Sequence, residues 1–176
     1  VAQAIDPVLG GGDACATTPA DPEPGTAAYT LPAAPPGGYT LIGAPAITAE
    51  IRVLGARRGA QLAARLWDVA PGGARQTLVA RGVYRPDGSG RAIWQLHPNG
   101  WRFAAGHSPK LQLLGSDMPY ARVANLPYTL SVSGLELRLP VREAPDCSTV
   151  MPTTPPELPP GQELAPGVFD VPSAGC

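Results

Sequence analysis

Chemistry in this 176-residue chain would have to come from few side chains. The nearest approach to the G-x-S-x-G turn of a hydrolytic nucleophile is Gly106-His107-Ser108-Pro109-Lys110. Lys110 stands where the final glycine belongs. Pro109 follows the serine directly and removes the N–H that would form half of an oxyanion hole. A nucleophile elbow joins a strand to a helix, whereas the residues after Ser108 read as a strand. Gly88-Ser89-Gly90 is a turn with no base near it in sequence, so no catalytic residue is assigned. His97 and His107 are too far apart for the i, i+4 pairing of a helical zinc site, and no carboxylate set accompanies them. They read as turn residues that hydrogen-bond to nearby backbone. Asp6, Asp13, Asp21, Asp87 and Asp117 lie in loop-like stretches without a dense D-x-D pattern. Calcium is a possible ligand of such a set and is not predicted, and no other cofactor or metal is expected.

Carbohydrate binding is the other chemistry open to these residue types. Aromatic faces stack on sugar rings, while amide and guanidinium groups hydrogen-bond to hydroxyls. Trp67, Trp101, Tyr84 and Tyr120 could supply the first, and Asn99, Asn125, Arg102 and Arg122 the second. The set singled out is Trp67, Trp101, Tyr120, Asn99 and Arg102. Against it stands the preferred reading, in which the tryptophans belong to a core and the arginines are satisfied surface groups.

The elements that would position these residues are strands. Ile47, Ala49, Ile51 and Val53 alternate with Thr48, Glu50 and Arg52, the period of a half-buried strand. Leu62, Ala64 and Leu66 oppose Ala63, Arg65 and Trp67. A helix is conceivable over ARRGAQLAARLWDV, whose residues are good helix formers, but a Pro71-Gly72-Gly73 turn follows directly. Gln76 to Tyr84 is a third strand, closed by Pro86-Asp87-Gly88-Ser89-Gly90. Ala92 to Leu96 precedes a turn at His97-Pro98-Asn99-Gly100, a short apolar segment at Trp101 and Phe103, and a second turn at Ala105-Gly106. A strand then runs through Leu111, Leu113 and Leu114. Trp94, Trp101 and Phe103 are expected in one core, because the chain is only 6% aromatic. Tyr128 to Val141 is the last run, and its apolar phase shifts at Ser133-Gly134, which predicts a bulge. About eight strands result, with neither a long helix nor βαβ alternation: an all-β sandwich or jelly roll.

Composition sets the ends apart. The chain has 21 glycines and 23 prolines, and the prolines are concentrated towards its two ends. Residues 1–38 are expected to keep no regular ladder and to run as an extended arm or linker, 39–143 to form the sandwich, and 144–176 to be a Pro-rich tail. A net charge of −1 leaves no electrostatic footprint for nucleic acid. No apolar run approaches the ~20 residues of a membrane span. Val1 reads as the start of a mature or excised segment, without a visible signal peptide. Cys15, Cys147 and Cys176 flank the core; Cys15–Cys147 is the favoured disulfide and Cys147–Cys176 the runner-up, either of which suits an oxidising, extracellular compartment.

The ordered motifs LHPNGWRFAAGHSPKLQLLGSDMPYAR, YTLSVSGLELRLPVRE and, upstream, LAARLWDVAPGG resemble the C-terminal domain of the X-Pro dipeptidyl-peptidase and cocaine-esterase-like serine hydrolases. The likeness covers roughly residues 40 to 143. It implies a galactose-binding-like jelly roll, a strand rather than a helix at Leu62–Val69, and a structural role for His107. It also implies an α/β-hydrolase domain as partner, in which the catalytic triad would reside, and hence no catalytic residue in this chain. The expected function is that of a non-catalytic accessory domain of a secreted hydrolase, with an apolar patch left exposed where that partner would sit. A carbohydrate- or polymer-binding module, or a structural extracellular subunit associating through its Pro-rich arms, are the alternatives.

Overall fold

A computed structural model describes residues 17–55 and 59–143. All three cysteines, and with them both candidate disulfides, lie outside the described residues. The described residues form ten strands: β1 (Thr17–Pro19), β2 (Thr26–Thr30), β3 (Tyr39–Gly43), β4 (Ala46–Gly55), β5 (Leu62–Val69), β6 (Arg75–Tyr84), β7 (Gly90–Gln95), β8 (Asn99–Phe103), β9 (Ser108–Leu114) and β10 (Tyr128–Arg138). Among the described residues there is no helix. Every pairing is antiparallel, in a five-stranded sheet β1-β6-β5-β9-β2, a three-stranded sheet β10-β4-β7 and a ribbon β3-β8. The all-β sandwich read from the sequence is what forms.

Alternation builds the core. Leu62, Ala64 and Leu66 of β5 and Leu111 and Leu113 of β9 face Ile47, Ala49, Ile51 and Val53 of β4, together with Trp94, Leu96, Leu41 and Phe103. Trp94 and Phe103 are buried as expected, and Trp101 packs half-buried against them. Gly82 is where β6 crosses closest to the end of β7. A Cβ there would stand 3.1 Å from the Gln95 carbonyl oxygen and 3.2 Å from the Leu96 Cα, so no larger residue fits without moving backbone.

Two features depart from the sequence reading, and a third lies beyond it. Residues 17–30 do pair, with β1 on one edge of the five-stranded sheet and β2 on the other. Pro19 is tolerated because it ends a three-residue edge strand, and Thr26–Thr30 contains no proline at all. The Asn99-Gly100 turn is instead the start of β8, paired with Gly43 and Ile42. The face of β5 carrying Ala63, Arg65 and Trp67 is as buried as its inner face, because the segment before β2 and the loop after β9 cover it. The expected bulge is present: the β10–β4 register shifts between Ser133 and Glu136, and Gly134 takes a φ of 57°.

At β10 the core becomes shallow. Val53, Ile51 and Ile47 are at most 3% exposed, yet their β10 partners Leu130, Val132 and Leu137 are only half-buried, as are Leu135 and Leu139. Leu54 and Leu126 stand exposed, Leu54 beside the start of this strand.

Candidate functional site

Two arrangements of polar side chains stand out. The first sits at one end of the sandwich, where β5 ends beside β8 and the turn into β9. Asp68, 6% exposed, accepts a hydrogen bond from Trp101 Nε1 at Oδ2 (2.9 Å). Its Oδ1 lies 2.9 Å from His107 Nδ1. A carboxylate only accepts, so Nδ1 carries the proton and Nε2 is left facing away. His107 was expected at a turn, hydrogen-bonded to nearby backbone. Its amide does donate to the Ala104 carbonyl (3.0 Å), but its ring is held by Asp68.

A carboxylate on histidine Nδ1 is two-thirds of a hydrolytic triad. The remainder is missing among the described residues: the ring's only hydrogen-bond partner is Asp68, and Ser108 opposes Val69 in a regular β5–β9 ladder. Such geometry positions Trp101 and the β9 turn.

Tyr39 packs on Phe103 (5.2 Å between ring centres), and burial, reinforced by the charge of Asp68, pushes its phenol up to about 12. An unfolded tyrosine ionises near 10. Between those values the unfolded chain has released a proton that the folded one keeps, so stability falls as pH rises through that window. Titration of phenolate absorbance should therefore show one tyrosine ionising only as the protein unfolds. A Tyr39→Phe variant lacks that late step, and a late step retained in the variant would assign it to another residue.

A second anchor joins β3 to the exit of β10. Glu143 accepts from the Thr40 amide (2.6 Å) and hydroxyl (2.8 Å), and these bonds, the amide first, hold its carboxyl down at about 2.

The residues proposed for sugar contact do not converge. Trp67 is 0% exposed, with its indole donating to Gln112 Oε1 (2.8 Å), and has no face to offer. Asn99 donates to the Val79 carbonyl, Arg102 bridges Thr40, Glu143 and the Gly37 carbonyl, and Trp101 is engaged by Asp68. Tyr84 stacks on Trp94 at 5.3 Å. Arg122 and Asn125 are exposed. Only Tyr120 and Arg122 share a concavity.

That concavity is the second arrangement, a groove of about 810 Å³. Its walls come from the end of β3 (Ile42–Ala44), from Gly82, Val83 and Arg85 near the end of β6, from residues 95–98 after β7, from residues 120–122 and from Pro140. Arg81 lies over the Tyr120 ring at 4.0 Å and His97 meets the ring edge-on at 5.9 Å, which fixes the aromatic in place. His97 was expected at a turn bonded to backbone. Its amide does donate to the Arg81 carbonyl, but its ring serves Tyr120. Sequence reasoning missed the groove because its wall residues come from five separate stretches. Among the described residues no cluster of three metal-ligating side chains forms; Asp117 is buried against Arg65, while Asp21 and Asp87 are exposed.

No protein-family model and no curated protein matches the sequence. The structure is similar to that of an alpha-amino acid ester hydrolase, at a TM-score of 0.55 and 17% identity over 68% of this chain and 26% of that one. It is also similar to a CocE/NonD family hydrolase from Staphylococcus aureus, at 0.52 and 12% identity over 72% of this chain and 32% of that one. At such identities the likeness shows the fold. It fits the resemblance to the X-Pro dipeptidyl-peptidase and cocaine-esterase-like hydrolases carried by the sequence motifs. The chain spans only about a quarter to a third of the length of these two proteins.

Proposed function

We propose that this chain is a non-catalytic accessory β-sandwich domain of a secreted serine hydrolase, packed against an α/β-hydrolase domain that carries the catalytic serine. The observation that carries this reading is the shallow apolar face of β10. Leu130, Val132, Leu135 and Leu137 of β10, and Leu139 just past it, stop half-buried beside the buried inward-facing residues of β4, while Leu54 on the other face of β4 and Leu126 stand exposed. An apolar strip of that kind marks a surface that another protein layer covers. The domain's task is then structural: to cover the hydrolase domain and shape access to its active site. The Asp68–His107 pair has a part in holding the fold, where it ties β5 to β8 and to the turn into β9.

The full product of the gene, treated with a fluorophosphonate probe that labels activated serines, tests this. One labelled serine outside residues 17–143 is expected. Placing aspartate at two shallow positions, Val132→Asp and Leu137→Asp, should lower the thermal stability of the full product. A label on a serine within 17–143, or no label at all in the full product, overturns the reading.

A further inference from the structure

The 810 Å³ groove is charged in one sense only. Besides Tyr120, its ionisable walls are Arg85, Arg122 and His97, with Arg81 behind Tyr120, and among the described residues no aspartate or glutamate lines it. Arg85 and Arg122 are exposed. Between these cations the walls are apolar: Ile42, Val83, Leu96, Pro98 and Pro140, with the ring of Tyr120. Ile42 is 53% exposed, although every other β3 side chain is at least partly covered. An aromatic ring flanked by prolines and arginines suits a ligand that alternates proline or aliphatic residues with carboxylates.

The chain carries such a segment. Residues 17–143 hold thirteen Arg and Lys against eight Asp and Glu, a surplus of five positive charges hidden by the overall −1. Residues 144–176 hold Asp146, Glu157, Glu163 and Asp170 with no basic residue, together with eight prolines. The most proline-dense part, MPTTPPELPPGQE at 151–163, places Glu157 and Glu163 six residues apart, each beside a leucine. It also begins close by. Pro140 is itself a wall of the groove, and the eight residues from Glu143 to Met151 reach up to about 26 Å when extended.

We propose that this groove is a docking site for an acidic, proline-containing peptide, and that its occupant is the chain's own residues 151–163. Glu157 and Glu163 pair with Arg85 and Arg122, and prolines pack on Tyr120 and Ile42. Connection through so short a linker makes the local concentration of the segment high, so individually weak contacts suffice.

The test uses the full chain, labelled for NMR. Backbone amides of Gly43, Gln95, Ala121 and Arg122 should shift between the unmodified protein and Glu157→Gln/Glu163→Gln, and they should shift likewise in Arg85→Glu/Arg122→Glu. Adding the synthetic peptide MPTTPPELPPGQE to the Glu157→Gln/Glu163→Gln protein should return them towards their original positions. As an independent readout, proteolysis within 151–163 should become several-fold faster in Arg85→Glu/Arg122→Glu. Both arginines are exposed, so an unchanged thermal midpoint would show that the fold survives. Groove amides identical in the unmodified and Glu157→Gln/Glu163→Gln proteins overturn the proposal, as does failure of the peptide to restore them. Shifts that grow with protein concentration overturn the intramolecular assignment and place the segment of a second copy in the groove.

Discussion

Replacing Arg65 by alanine should destabilise the domain by about 3–5 kcal/mol. Arg65 is 0% exposed on the outer face of β5, an unusual place for a guanidinium. Its Nε (3.0 Å) and one terminal nitrogen both donate to Asp117 Oδ1, and the other terminal nitrogen donates to Glu23 Oε2 at 3.0 Å. Asp117 is itself 0% exposed, and its second oxygen has no partner among the described residues. Arg65 is thus the group that compensates Asp117, and deleting it leaves a carboxylate stranded in a low-dielectric site. The arrangement also pins the segment before β2 and the loop after β9 over Trp67. Urea unfolding followed by tryptophan fluorescence reads the loss directly. Arg65→Lys should recover less than half of it, since one ammonium cannot occupy the three donor positions of the fork. Replacing the buried pair together, Arg65→Met with Asp117→Leu, should cost less than Arg65→Ala, because the fully buried Asp117 charge is removed with its partner and only the partly exposed Glu23 loses a cation. If Arg65→Ala unfolds within about 1 kcal/mol of the unmodified protein, water reaches Asp117 and the site is not the buried network described.

The inner face of this domain was legible in the sequence and its outer face was not, for a physical reason. Period-2 alternation records which side chains face the opposite sheet, and β4, β5, β7 and β9 follow it, while a bulge at Val79 breaks it in β6. It cannot record that loops cover the other side. Ala63, Arg65 and Trp67 read as a second face, and only the Glu23 and Asp117 contacts show that face to be interior. The edge strands β1 and β2 were lost for a related reason, since prolines near them suggested an arm, whereas an edge strand needs only one partner and tolerates a proline at its end. At the candidate site, Asp68 and His107 each belonged to a recognised motif, WDV and GH, but they are 39 residues apart and nothing local links them. Only the β5–β9 register, with Val69 against Ser108, carries the one to the other.

That pairing leads to the second large effect, at Asp68. Asp68→Ala should cost about 2–4 kcal/mol: two hydrogen bonds to a charged acceptor are lost, discounted because the His107 side chain remains 29% exposed and can recover water. Asparagine separates the roles of the two oxygens. An amide has one acceptor and one donor, whereas the site presents two donors, Trp101 Nε1 and His107 Nδ1. Near neutrality Asp68→Asn should be tolerated, because His107 can move its proton to Nε2 and accept from the new amide at Nδ1. Nitrogen chemical shifts of the imidazole would report that change of tautomer. A His107→Gln change in the same background removes the imidazole and with it that signal. If Asp68→Asn kept the Nδ1-protonated tautomer, Asp68 would not be accepting from both partners, and the clamp between β5, β8 and the β9 turn would have to be assigned to Trp101 alone.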